Sequence, residues 1–268
     1  MKTARDPALA ALKLLLCIGV LIAPETGADD DPGHWTRVNG HWMYYLRVGA
    51  GSPVLLLHGG GDSGLGSFAN QINELVYAGH QVIAPDQVGQ GQTPDVPGPL
   101  TYGGMTEDTA ELLRILQIDS TDVVGFSDGG IVGLILAARH PDLVRRLAVS
   151  GVNISPSGLR EGELDTLRAE DEAEPTGPET KSANAKLRAL WLNAPTDEDI
   201  GEDALREIQQ PVLIMAGDHD MVRLDHTLAI YDALPNAQLF ILPDTGHGTF
   251  ASRSDWVNPV LLGFLGDY

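Results

Sequence analysis

The sequence predicts an α/β domain built on a largely parallel sheet, and three observations lead there. Short apolar runs recur along the 268-residue chain, each ending at a polar or glycine cluster: PVLLLHGG, QVIAPDQVG, DVVGFSDGG, VRRLAVSGV, PVLIMAGD and QLFILPDTG. They are continuous rather than alternating, as strands buried on both faces must be. Segments of helical period fall between them, so that strand and helix alternate. The hydrophobic content of 43% over this length suits one sizeable domain with its own core better than two small ones.

The first element is a leader. Lys2 and Arg5 precede an apolar run from Leu14 to Ala23 and a polar stretch containing Thr26, Gly27 and Ala28, the order of a secretory signal peptide. The run is shorter than the roughly 20 residues a membrane span needs. Cleavage is expected near Ala28, which makes residues 1–28 the signal peptide and residues 29–268 the domain, periplasmic or secreted and without stable membrane insertion. Retention of the leader as an anchor is the alternative. Cys17 is the only cysteine and leaves with the leader, so export brings no disulfide and no thiol pair for a metal.

After the leader, WTRVNGHWMYYLRVG carries Asn39-Gly40 between apolar alternations, which predicts a hairpin with a type I′ turn. Helices are predicted over FANQINELVYAG, MTEDTAELLRILQI, GIVGLILAARH and LDHTLAIYDAL. The rhythm breaks once, from about residue 153 to residue 210, where a charge-rich interval holds the helical pieces EGELDTLRAEDEA and SANAKLRALWLNA. An insertion of that length inside a compact domain reads as a lid or a flexible segment, and its acidic runs as solvated faces. The net charge of -20 disfavours nucleic acid and anionic lipid surfaces as partners, which leaves a small-molecule substrate.

The chemistry centres on GFSDGG. Gly125 and Gly129 stand two residues either side of Ser127, the spacing a sharp strand-to-helix turn demands when it lifts a serine hydroxyl above a sheet. A serine is a weak nucleophile until a base takes its proton and a third group orients that base. Candidates follow in chain order at strand ends: an acid, Asp218 or Asp220 in MAGDHDMV, and then His247 in PDTGHGTF. His58, ahead of the glycines of HGGG, reads as a buried hydrogen-bonding residue rather than a second base. His219, Asp220, Asp225 and His226 lack the spacing of a metal site, and no metal is expected.

Together LLHGGG, APDQVGQGQT, GFSDGG, HPDLVRRLAVSG, MAGDHDMV and TGHG, in that order from Trp35 to the C-terminus, resemble the α/β-hydrolase superfamily. The resemblance implies an eight-stranded, mostly parallel sheet flanked by helices, with a helical cap after the sixth strand. It implies Ser127 as nucleophile, Asp220 rather than Asp218 as acid, His247 as base, and an oxyanion hole from the backbone N–H groups of Gly60 and Asp128. No cofactor is needed. The chain departs from the family at Val88, where an arginine is usual, so an ion pair behind the site is missing.

SDGG also resembles the biphenyl hydrolase-like, valacyclovir-hydrolase branch, in which the corresponding acid contacts a substrate ammonium. Asp128 therefore has two readings, as an acidic residue favoured by a helix N-terminus or as a selector of cationic substrates. Trp191, Phe126, Met221 and Phe250 are each pocket wall or ordinary core. The expected function is hydrolysis of a small ester, with aminoacyl esters, lactones and amides as neighbours. Carbon–carbon bond hydrolysis, cofactor-free perhydrolysis and non-catalytic ligand binding on the same fold are the alternatives.

Overall fold

The computed structural model describes residues 33–173 and 182–266. The expected leader and the middle of the insertion lie outside the described residues. Eight strands form one sheet: β1 (Gly33–Val38), β2 (His41–Gly49), β3 (Ser52–Leu57), β4 (His80–Pro85), β5 (Thr121–Phe126), β6 (Val144–Ser150), β7 (Val212–Gly217) and β8 (Ala237–Leu242), in the order β1-β2-β4-β3-β5-β6-β7-β8. β2 pairs antiparallel with both β1 and β4, and every other pairing is parallel. Asn39 and Gly40 turn the opening hairpin with φ of 43° and 98°, the two positive values a type I′ turn needs.

The continuous apolar runs have the cause the sequence suggested. Leu55, Leu57, Val123 and Leu147 face one core layer, while their neighbours Val54, Leu56, Val124 and Ala148 face another. The first layer is closed by α3 (Tyr102–Ile115), α4 (Asp128–Arg139) and α9 (Leu224–Ala233). The second is closed by α1 (Gly64–Phe68), α2 (Ile72–Tyr77), α10 (Thr249–Ser252) and α11 (Ser254–Leu265). Each large aliphatic side chain so buried contributes about 1.5–3 kcal/mol. Val88 is one of them, so an apolar contact stands where the resemblance led to the expectation of an arginine. Between β6 and β7 lie α5 (Glu161–Ala173), α6 (Ala183–Asn193), α7 (Asp197–Ile200) and α8 (Glu202–Glu207), the helical cap after the sixth strand.

Two helices differ from the sequence reading. The segment expected as one helix over FANQINELVYAG is split, because the amide of Gln71 at the break donates to Phe250 O and Asn258 Oδ1. α3 starts at Tyr102 rather than Met105. Thr101 caps it by accepting from the Gly104 N–H, and this outweighs the poor helix propensity of Gly103 and Gly104.

Candidate active site

At the end of β5 the chain must reverse into α4 within one residue. Ser127 does this at φ 50°, ψ -120°, a conformation sparsely populated by residues with a side chain and costing on the order of 1–3 kcal/mol. Its N–H donates to Ser150 O at 2.8 Å, and its carbonyl receives the N–H groups of Gly130 and Ile131, so the strained residue is pinned on both sides. A side chain at Gly125 would strike Gly129 O and the Gly130 backbone, and one at Gly129 would strike Leu57 O. Strand and helix therefore close tightly around the serine.

The loops after β7 and β8 bring the other two groups. Asp220, 1% exposed at its side chain, accepts at Oδ1 from His247 Nδ1 at 2.7 Å and from the Val222 N–H at 3.0 Å. Donation from Nδ1 leaves His247 Nε2 as the nitrogen able to accept a proton. The His247 ring lies against Phe126, with centroids 5.0 Å apart, and reaches Asp220 over Gly151, whose missing side chain leaves the space the ring fills. Asp218 has a different place. It accepts from the Thr245 N–H at 3.0 Å, and the backbone N–H groups of Thr245 and Asp244 hold its carboxyl below the usual range, so it braces the loop after β8.

Ser127, His247, Gly60 and Asp128 open on one cavity of about 220 Å³. As the first residue of α4, Asp128 presents an N–H that no carbonyl within the helix can reach. Gly60 packs against the Asp128 carboxylate and the Trp191 ring, with no room for a side chain between them. The loop that carries Gly60 is held by His58. The Gln87 N–H donates to its Nε2 at 2.9 Å, so Nδ1 carries the hydrogen and donates to Gly59 O at 2.7 Å. Burial pushes the pKa of His58 down and keeps it neutral in this role.

The Asp128 side chain is 6% exposed and lies in the cavity wall. Tyr102 donates its hydroxyl to Oδ1 at 2.9 Å, and Trp191, on the cap helix α6, donates its indole N–H to Oδ2 at 2.8 Å. Burial pushes the Asp128 carboxyl up, against the pull of these two hydrogen bonds and of the nearby His58 and His247. Among the described residues lining the cavity there is neither lysine nor arginine.

Of the residues read as pocket wall, Trp191 and Met221 line the cavity and two do not. Phe250 is 1% exposed and packs edge-on against Phe68 at 5.1 Å, because α10 turns it into the second core layer. Phe126 shares the β5 face of Val124 and backs His247 instead of facing the cavity. The sequence reading missed Tyr102 and Gly151. Thr101, of a residue type favoured at a helix N-cap, is the signal that could have marked the start of α3, and with it Tyr102. A lone glycine after an apolar strand points to nothing in particular.

A model of the alpha/beta hydrolase fold matches residues 52–188, more than half of the chain. The serine hydrolase BPHL of Mus musculus is 27% identical, over 96% of this chain and 94% of its own length. The 2-hydroxy-6-oxo-2,4-heptadienoate hydrolase of Pseudomonas putida is 31% identical, over 83% of this chain and 92% of its own length. Among solved structures, that of the putative non-heme bromoperoxidase BpoC from Mycobacterium tuberculosis superposes with a TM-score of 0.72 at 25% identity, covering 83% of this chain and 94% of its own.

Proposed function

Because the chain belongs to the alpha/beta hydrolase fold family, we propose that this enzyme hydrolyses a small-molecule ester with an amino group near the scissile carbonyl, through an acyl-enzyme on Ser127. The observation that carries the reading is one cavity holding a strained serine, a histidine bonded at 2.7 Å to a buried carboxylate, and a second carboxylate with neither lysine nor arginine among the described lining residues. In acylation the Ser127 hydroxyl adds to the carbonyl carbon while His247 Nε2 takes its proton. The oxyanion is met by the N–H groups of Gly60 and Asp128, each such donor being worth about 2.7–4 kcal/mol at the transition state. The bond to the leaving alcohol then breaks, and His247 returns the proton to that oxygen. Water, deprotonated by His247, attacks the acyl carbon and releases the acid together with the free serine. Asp220 holds the imidazole in the tautomer this sequence requires.

The Asp128 carboxylate supports a cationic acyl group. An ammonium entering beside it would meet a buried charge whose two existing partners are neutral donors. By the same electrostatics an anionic substrate is disfavoured, including an oxo-dienoate of the kind named for the Pseudomonas putida relative. A fluorophosphonate probe should label the purified protein at Ser127 and fail to label Ser127→Ala. An aminoacyl aryl ester should be hydrolysed faster than its uncharged isostere. Absence of an adduct would return the protein to the class of ligand binders, and preference for the uncharged or anionic ester would overturn the proposed substrate class.

A further inference from the structure

The reaction cavity has a larger neighbour. A cleft of about 530 Å³ runs along the seam between cap and core, with Leu100 and Thr101 on the core side and Lys186, Ala189 and Leu190 of α6 on the cap side. Tyr102 and Ala194 line both this cleft and the cavity of Ser127, so these two side chains stand between them. The seam is built rather than incidental. Lys186 Nζ donates to Asp95 Oδ2 at 2.7 Å and to Val96 O at 2.6 Å, tying α6 to the core loop at one end of the cleft, while Trp191 ties α6 to Asp128 at the other. With its ammonium spoken for, Lys186 gives the cleft only its aliphatic stem.

We infer that this cleft binds the arm of the substrate remote from its scissile carbonyl, and that the arm is an uncharged, apolar chain or ring. The inference rests on the proposed ester hydrolysis for what sits at Ser127, but the cleft's own ligand chemistry is independent of it. Small-molecule sites commonly measure about 300–1,000 Å³, so the cavity of about 220 Å³ at Ser127 holds the reacting centre and little more. Anything larger must extend, and the cleft lies on the other side of Tyr102 and Ala194. Leu100, Tyr102, Ala189, Leu190 and Ala194 line it and give it an apolar wall. Asn193 and Asp199, also in its lining, suit a polar tip. Tyr102 then has two duties. Its hydroxyl holds Asp128, and its ring is the sill over which the chain passes.

The test uses chain length. On the full protein, two ester series are compared, one lengthened in the acyl group and one in the alcohol. In one of them kcat/KM should rise by about tenfold or more from two to eight carbons, since each buried methylene favours binding several-fold. In Ala189→Trp, which fills the cleft from a partly exposed position of α6, the ratio of long to short esters should fall towards one, and Asn193→Trp should act likewise should the first variant fold poorly. Binding of uncharged 4-alkylphenols to Ser127→Ala, followed by calorimetry, reads the cleft without chemistry. Affinity should climb from ethyl to octyl, and the climb should vanish when Ala189→Trp is added. A flat alkylphenol series, or a climb unchanged by both tryptophan variants, overturns the inference. Absence of ester turnover with a climbing alkylphenol series would instead leave the cleft standing and sink the proposed reaction.

Discussion

The two walls of the reaction cavity are held by different kinds of restraint. On the core wall the geometry is made by backbone: Ser127 is bonded through its own N–H and C=O, and the oxyanion donors proposed at Gly60 and Asp128 are peptide groups. On the cap wall it is made by single side chains reaching across. Trp191 binds Asp128, Lys186 binds Asp95, and Arg160 Nε donates to Asp220 O at 2.6 Å. A backbone restraint has few alternatives, because a peptide group cannot choose another rotamer. A side-chain restraint is adjustable: it can swing to another rotamer at the cost of the roughly 1.5–3 kcal/mol that a hydrogen bond involving a charged group contributes. The core wall is therefore suited to fixed chemistry and the cap wall to choice of substrate.

The comparison is broken most severely at the elbow. Gly129→Ala places a methyl against Leu57 O and His58 O, both backbone atoms that cannot rotate away. The turn must open, which displaces Ser127 and the Asp128 N–H together. Overpacking of this kind costs about 1–3 kcal/mol or more of stability. A misplacement of 1 Å at a reacting group can cost about 100-fold in rate. We expect kcat/KM for every ester to fall at least that far, with a lower urea midpoint. A variant retaining wild-type kcat would show that the elbow is more compliant than its contacts suggest.

Two smaller changes separate charge from attachment at the place where the walls meet. Asp128→Asn keeps the size and can still accept from Trp191 while its amide donates to the Tyr102 oxygen, so the attachment survives and the charge does not. With it, kcat/KM for an aminoacyl ester should drop about 10-fold, equivalent to about 1.4 kcal/mol, and an uncharged ester should barely respond. Trp191→Phe does the reverse, removing the N–H and keeping an aromatic ring near the cap position. Losing one hydrogen bond to a carboxylate, worth about 1.5–3 kcal/mol, should slow both esters by about 10-fold or more without discrimination. Opposite patterns in the two variants would mean that the indole, not the carboxylate, selects the substrate.

This difference also explains what could be read in advance. Ser127, His247 and the pair Asp218 and Asp220 follow apolar runs closely enough for periodicity and punctuation to propose them, the choice of Asp220 came from the resemblance to the family, and Ser127, Asp220 and His247 all lie beyond the carboxyl ends of β5, β7 and β8. The strand alternation was legible for the same reason. The two layers could not be assigned, because Leu55 and Val54 look alike until a helix covers one of them. Trp191 could be read only as pocket wall or ordinary core. Its bond to Asp128 joins residues 63 positions apart, and no local pattern encodes such a meeting. Phe126 and Phe250 show the converse: being near the site in sequence says nothing about which side of the sheet a ring will face.

The smallest effect concerns the cap's point of departure from the core. His226, on α9, sits beneath the turn that starts the insertion, and the Ile154 N–H donates to its Nε2 at 3.1 Å. A protonated ring would have no lone pair for that bond. Burial lowers the pKa of His226, Arg223 lowers it further, and Asp225 opposes them. A histidine whose folded pKa lies below its unfolded value contributes stability that is fully present above about pH 6.5 and is lost as the pH falls through the folded value. Buried His58 has the same sign, so the whole protein should lose Tm on mild acidification. His226→Gln isolates one share of that loss. Its amide oxygen can still accept from Ile154, and it does not titrate. The wild type should match or exceed the variant in Tm at pH 7.5, and the difference should move in the variant's favour towards pH 5. The amount should be of the order of the roughly 1 kcal/mol that one hydrogen bond is worth, or about 2–4 °C for a domain of this size. A difference in Tm that stays constant across that range would mean that His226 keeps its bond to Ile154 while charged, which its geometry forbids without a movement of the turn.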